Sequence, residues 1–311
     1  MRALDGKVAL VAGAARESGA ATVDRVGRID SRVDRARATA HAAGVDKTRF
    51  GPWAVVTGAS SGIGREFARQ IAASGIDVVL VARRQALLEQ AGREISAEFG
   101  VEHRIVVADL SADGAVDRLA GATRDLDVGL VISNAGTATP GEFRLQDRGD
   151  LAGLLRLNAF AHMELAHHFG RRLVERRRGG ILLCGAMGAA HGIPYVANDS
   201  AAKSYVQTLG ECLHIELAPF GVHVTVLIIG PTQTAIIDKF GLTPEAMPMK
   251  PMSAQQCASE GLDALRKNRA THLSGRTNRI MQALLPAALS RRLMGAMMAK
   301  ALAARGRPVA T

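Results

Sequence analysis

Tyr195, Asp199 and Lys203 recur every four residues, so a helix beginning early enough to include all three would carry a phenol, a carboxylate and an ammonium group on one face. Such a row has two readings. Either it handles a proton, with Lys203 tuning the neighbouring acid, or Asp199 and Lys203 form an i,i+4 ion pair and Tyr195 merely lines a pocket. An aspartate one turn from a lysine is expected to be ionised at neutral pH, which makes it a poor proton donor and a weak base. His191 and Ser200 are lesser candidates for the same work. Cys184 ends an apolar run and reads as a packed small hydrophobe.

A second group of residues lies upstream and points to a nucleotide. The apolar run Trp53–Val56 leads into Thr57-Gly-Ala-Ser-Ser-Gly-Ile-Gly64, and helical spacing follows from Arg65. Strand, glycine loop, helix is the order that sets a diphosphate against backbone N–H groups at the positive end of a helix. Gly58, Gly62 and Gly64, spaced G-x-x-x-G-x-G, permit the tight turn and the close approach, and Ser60, Ser61 and Ile63 complete the loop. The next strand ends in Arg83-Arg84, where an NAD site usually has a carboxylate for the ribose hydroxyl. Two guanidinium groups suit a 2′-phosphate, so NADP(H) is expected over NAD(H). Asp109-Leu110 ends the third strand, where a carboxylate can accept the adenine amino group, and Asn134-Ala135-Gly136 makes a small turn after the fourth.

These residues need elements to hold them. Strand-like runs at 53–58, 77–82, 104–108, 128–133, 181–185 and 222–228 alternate with helix-like runs near 62–75, 84–99, 113–123, 150–177 and 198–218, with another helix at 253–268. That alternation predicts an α/β fold, a doubly wound parallel sheet of Rossmann-like type in three α/β/α layers. Residues 231–251, rich in Pro, Thr and Met, read as a loop with a short helix that covers a pocket.

With four motifs in this order, residues 53 to about 270 resemble the short-chain dehydrogenase/reductase family. The resemblance implies that Gly230-Pro-Thr232-Gln-Thr234 holds the nicotinamide amide, with Ile229 where the family has proline. It implies that Lys203 holds the ribose and tunes an acid, and that Asn158 supports the proton relay. Asp199 stands where the family has its catalytic tyrosine, and Ala186 where it has a serine. The expected activity is therefore NADP(H)-dependent oxidation and reduction of hydrophobic alcohols and ketones through an altered relay. The alternative is a non-catalytic NADP(H)-binding sensor or partner subunit. The Met-rich stretch between Phe240 and Met252 supports a hydrophobic substrate. The resemblance also implies a homodimer or homotetramer, with helices 150–177 and 198–218 at its contact.

Composition narrows the rest. The chain of 311 residues carries a net charge of +10, unevenly placed: ten Lys/Arg against six Asp/Glu in 1–50, nineteen against twenty-two in 51–260, and ten against one in 261–311. No paired Cys/His ligands and no aromatic stacking motif accompany that charge, so neither a nucleic-acid partner nor a metal site is expected. Three scattered cysteines suit a reducing cytoplasm. Residues 1–50 read as a degenerate extension, since Lys7–Gly19 repeats Pro52–Gly64 with Glu17 in place of the middle glycine. The domain proper spans 51–275. Residues 276–311 form a basic amphipathic tail, where Leu289, Leu293, Met297 and Met298 recur at helical spacing opposite Arg291 and Arg292. Over 278–305 that face suits subunit packing, a pocket cover, or peripheral contact with an acidic membrane surface.

Overall fold

Val/Ile/Leu-rich runs become parallel strands because the central ones are apolar on both faces and can be buried only between two helical layers. A computed structural model describes residues 44–240, 250–284 and 286–306 of the chain. The strands are β1 (Trp53–Thr57), β2 (Asp77–Ala82), β3 (His103–Val107), β4 (Val128–Ser133), β5 (Gly179–Ala186), β6 (Val222–Ile229) and a short β7 (Thr271–Leu273). They form one sheet in the order β3-β2-β1-β4-β5-β6-β7, every neighbouring pair parallel. The strand order reverses between β1 and β4, and the crevice beyond their carboxyl ends is where such sheets bind ligands.

The expected helices form as α2 (Gly62–Ala72), α3 (Gln85–Phe99), α4 (Ala115–Ala122), α8 (Ala197–Leu217), which follows the one-turn α7 (Gly188–His191), and α10 (Ala254–Arg266). Successive strand residues supply opposite layers. Val56 and Leu80 pack with Phe67 and Ile71 of α2, whereas Val55 and Val79 pack with Leu165 and Phe169 on the other face. Each such side chain, once buried, contributes about 2 kcal/mol of burial free energy.

Four features differ from the sequence reading. The run 150–177 is not one helix: α5 (Arg148–Leu155) passes through a π-turn at Arg156–Phe160 into α6 (Ala161–Arg176). A π-turn admits an extra residue and re-aims the next stretch of helix, and here it carries Asn158. A short helix α1 (Lys47–Phe50) precedes β1, and Val45 and Phe50 are buried, so the core reaches back beyond the expected boundary at 51. The edge strand β7, only three residues long, gave too short an apolar run to be read. The tail is two helices, α11 (Arg276–Leu284) and α12 (Ala287–Ala303), because Pro286 cannot continue a helix and caps the second one instead. The repeat at Lys7–Gly19 lies outside the described residues.

The tail is tied down by Glu260 of α10. Its carboxylate accepts bonds from His272 Nε2 at 2.9 Å, the Gly275 N–H at 3.0 Å and Arg279 Nη1 at 2.9 Å. Burial works to raise Glu260, but these donors outweigh it and hold the carboxyl at about 2. This anchor fixes α11 against β7. Phe160, Tyr205 and Ile215 stay exposed on the π-turn and α8, the elements expected to meet a second copy.

Candidate active site

At the carboxyl ends of the strands lies a cavity of about 680 Å³. One half is built from the glycine loop. Gly58 and Gly62 have φ of +70° and +56°, which an L side chain adopts only at a cost, so glycine is required for the turn. Ser61 makes no side-chain capping bond to α2; instead the Ser60 and Ser61 hydroxyls accept from Arg84 Nη2 at 3.0 and 2.8 Å. The first turn of α2 thus carries no side-chain cap, and an arginine stands beside it.

Arg83, Arg84, Asp109, Leu110, Asn134, Ala135, Gly136, Gly230, Thr232 and Thr234 all line the cavity, together with Gly58, Ser60, Ser61, Gly62 and Ile63. Arg83 Nη1 stands 3.9 Å from Asp109 Oδ2. The Ser111 hydroxyl, which donates to Oδ1 at 2.6 Å, is the main influence lowering the pKa of Asp109. Gly64 is the exception. It does not line the cavity; a Cβ there would come within 2.3 Å of the Gly58 carbonyl oxygen and 2.6 Å of Asn134 Nδ2. Its role is close approach between loop and strand. That junction is fixed by Thr57, whose Oγ1 donates to the Ile132 carbonyl and accepts from the N–H groups of Asn134 and Ala135.

The other half is apolar except at one corner. Asp199 and Lys203 of α8 line it, while Tyr195 does not. Helix α8 starts only at Ala197, and Tyr195 sits before it in the left-handed region (φ +66°), where its carbonyl accepts from the Gly141 N–H at 2.8 Å. The three residues thus share no face. Nor do Asp199 and Lys203 pair: Lys203 Nζ donates to the Cys184 carbonyl at 3.0 Å, and no Asp199–Lys203 ion pair occurs among the described residues. Asp199 Oδ1 accepts instead from Asn158 Nδ2 at 2.6 Å.

Asn158 is fully buried and lies behind the cavity wall. Its Nδ2 also donates to the Thr137 carbonyl at 2.7 Å, and its Oδ1 accepts from the Thr137 N–H at 2.9 Å. Every polar atom of this amide is used to join Thr137 to Asp199. The electrostatics differ from the sequence reading too. Burial is the largest influence on Asp199 and raises its pKa, against the opposing pull of Lys203 and Asn158. The expected lowering by Lys203 is present but loses, because the carboxyl is withdrawn from water. Burial likewise pushes the Cys184 thiol up, so that it stays protonated and unreactive.

A family model for the short chain dehydrogenases matches residues 52–244. The chain belongs to the short-chain dehydrogenase family. It is 32% identical over 233 residues to a 7beta-hydroxysteroid dehydrogenase of Clostridium sardiniense, covering 75% of this chain and 89% of that one. A very-long-chain 3-oxoacyl-CoA reductase of Podospora anserina is 36% identical over 183 residues, and the match spans 57% of this chain but only 54% of the reductase. Among solved structures, a 7beta-hydroxysteroid dehydrogenase superposes with a TM-score of 0.74 at 26% identity, covering 80% of this chain and 98% of that one. A short-chain dehydrogenase from Sphingobium yanoikuyae in complex with NADPH superposes with a TM-score of 0.67 at 28% identity, covering 84% and 98%.

In this short-chain dehydrogenase the methionines that roof the cavity lie beyond the matched segment. Met281 of α11 and Met294, Met297 and Met298 of α12 form it, with Phe240 at the end of α9 (Ala235–Phe240). The expected cap between Phe240 and Met252 falls mostly at 241–249, outside the described residues. Helix α12 is seated on the turn before α8, where a Cβ on Gly295 would come within 2.9 Å of Pro194 Cγ. Its Arg291 Nε donates to the His191 carbonyl at 2.8 Å. The apolar row read from sequence divides here: Met298 is buried, whereas Leu289 and Leu293 are exposed. Helical spacing identifies a stripe but not which part of it the core takes. Ser200 lines the cavity with its hydroxyl accepting the Ile193 N–H, and His191 does not reach it.

One buried group escaped the sequence reading. His162 of α6 is fully enclosed, its Nδ1 2.8 Å from the Ser133 hydroxyl, and burial with the nearby Lys203 cation lowers its pKa well below the ordinary range. The available signal was its position four residues after Asn158.

Proposed function

We propose that this protein is an NADP(H)-dependent oxidoreductase acting on hydrophobic substrates, with Asp199 rather than a phenol as the group that exchanges the proton. The observation that carries this reading is the corner where Asp199 and Lys203, with Asn158 behind the wall, meet the apolar half of a cavity whose other half holds the glycine loop and Arg84. The residues fit the cofactor: an uncapped helix start for the diphosphate, Arg84 for a 2′-phosphate, Asp109 for the adenine amino group, and Thr232 and Thr234 for the amide. When bound, the nicotinamide supplies or takes up a hydride. Everything else falls to the chain. Lys203, held by the Cys184 carbonyl, is placed for the ribose, and Asn158 fixes one Asp199 oxygen so that the other meets the substrate. The methionine roof excludes water and adapts to a bulky apolar molecule.

Arg84 gives the first test. Arg84→Ala is expected to weaken NADPH binding about tenfold or more while changing NADH binding little, because only the 2′-phosphate loses a charged partner. Fluorescence titration of both cofactors decides it, and an equal loss for both would remove the NADP preference. Measurable NADPH binding without any turnover on a broad panel of ketones and alcohols would leave the non-catalytic reading in place.

Membrane contact through the tail belongs to the same proposal. Ile280, Leu284, Leu289 and Leu293 are exposed on α11 and α12, beside the exposed Arg291 and Arg292. No helix among the described residues is long and apolar enough to cross a bilayer, so the contact would be interfacial. The full chain is expected to sediment with anionic but not zwitterionic vesicles, and a Leu284→Ser/Leu293→Ser variant to sediment less. Equal sedimentation with both lipids would remove this part.

A further inference from the structure

The carboxyl group of Asp199 is unusually placed for a site that reduces ketones. It is partly buried at the edge of an apolar cavity, its Oδ1 takes the Asn158 N–H, and its Oδ2 accepts no hydrogen bond among the described residues. The one cation on its own helix within reach, Lys203, is turned toward the Cys184 carbonyl. Across from it, β5 ends in Ala186, which offers the cavity a methyl group and no donor.

A ketone makes two demands on such a site. Its oxygen gains negative charge as the hydride arrives and needs a hydrogen-bond donor, and the resulting alkoxide needs an acid that still holds its proton at neutral pH. Ala186 fails the first. Asp199 meets the second only in part: burial is the largest influence and raises its pKa, against Lys203, the Asn158 bond and its position in the first turn of α8, but a carboxyl still gives up its proton more readily than a phenol. A carbon–nitrogen double bond reverses both demands. An imine nitrogen is far more basic than a ketone oxygen, so it takes the carboxyl proton before hydride transfer and becomes a cation beside a carboxylate. No oxyanion develops, because the electron pair finishes on nitrogen as a neutral amine. The desolvation that penalises a lone carboxylate then strengthens its attraction to the substrate cation.

Resting on the reading that the cavity binds NADPH with Asp199 as its acid, we infer that the substrate class of this site is a bulky apolar imine, reduced to an amine. The imine nitrogen takes the Asp199 proton, leaving iminium and carboxylate. The iminium carbon accepts a hydride from NADPH, a C–H bond forms, and the π electron pair moves to nitrogen. NADPH is oxidised to NADP⁺, the amine is released, and water re-protonates Asp199.

The test compares phenylpyrroline with its ketone isostere phenylcyclopentanone, and their products phenylpyrrolidine and phenylcyclopentanol, on the full chain. NADPH oxidation is expected to be about tenfold or more faster with phenylpyrroline. Independently of turnover, calorimetry on the NADP⁺-bound protein is expected to show that Asp199→Asn weakens phenylpyrrolidine binding about tenfold, with phenylcyclopentanol binding little changed. Ala186→Ser is expected to raise the ratio of ketone rate to imine rate measured on the same variant about tenfold, which keeps the inference testable if the Asp199 variant is unstable. Faster ketone reduction, or amine binding indifferent to Asp199, overturns the imine assignment while leaving the oxidoreductase reading intact. Absence of NADPH binding overturns both.

Discussion

Asp199→Asn is expected to lower turnover by about 10²- to 10⁴-fold while leaving NADPH affinity near that of the parent. Asparagine matches aspartate in shape, and its Oδ1 can still accept the Asn158 N–H that now meets Asp199 at 2.6 Å. The link from Asp199 through Asn158 to Thr137 therefore survives, and so does Lys203 at the Cys184 carbonyl. What is lost is an exchangeable acidic proton at Oδ2, and the size of the loss reports how much of the rate depends on it. Tyr195→Phe is the matching control. Because Tyr195 lies before α8 and off the cavity, removing its hydroxyl should change kcat less than about twofold. The opposite pattern, a silent Asp199→Asn and a crippling Tyr195→Phe, would place the proton chemistry on the phenol and require the segment before α8 to move. Single-turnover rates with saturating NADPH separate the chemical step from binding.

That control exists because the sequence left Tyr195 and Asp199 open together, and the reason is physical. Four-residue spacing is a statement about a helix, and it is silent on where the helix starts. Val196 takes the N-cap position here and Tyr195 takes a left-handed conformation, so the row is broken between Tyr195 and Asp199. The same ignorance of geometry affected the ion pair: Lys203 is long enough to choose between Asp199 and the Cys184 carbonyl, and only the packed structure makes that choice. By contrast, the sheet was legible because its central strands are apolar on both faces, and one half of the cavity lining because glycine loop, Arg84 and Asp109 sit at strand ends fixed by chain order. The π-turn at Arg156–Phe160 and the division of α11 from α12 left weaker traces. A π-turn changes the helical phase by one residue without any characteristic sequence, and Pro286 marked the second break but not its consequence for Leu289 and Leu293. The methionine roof lies beyond the segment that matches the family, so resemblance could not assign it.

Gly64→Ala is expected to destabilise the fold strongly, and its effect distinguishes two meanings of a glycine in this loop. A glycine kept for its contact with a diphosphate would, when changed to alanine, lose cofactor affinity with the fold intact. Gly64 is placed otherwise. Its added Cβ would stand 2.3 Å from the Gly58 carbonyl oxygen and 2.6 Å from Asn134 Nδ2, both parts of the junction between the loop and β4. Neither can give way cheaply. The Gly58 carbonyl belongs to a residue already at φ +70°, and Asn134 Nδ2 donates to the Thr57 carbonyl at 3.1 Å. Relief requires either breaking that bond or moving α2 from the sheet, where Phe67 and Ile71 are buried. Overpacking of about 1–3 kcal/mol and an unsatisfied amide worth about 1–3 kcal/mol combine to roughly 4 kcal/mol. For a domain of this size that is a fall in Tm of about 8–16 °C. Gly136→Ala provides the contrast, since its Cβ would meet Asn158 Oδ1 and Lys203 Nζ at an ordinary 3.4 Å and should leave Tm within about 3 °C. If Gly64→Ala instead melts with the parent and loses only NADPH affinity, Gly64 acts on the ligand directly and the close-approach account is wrong. Scanning calorimetry of the cofactor-free variants separates the two, because without ligand only the packing contribution remains.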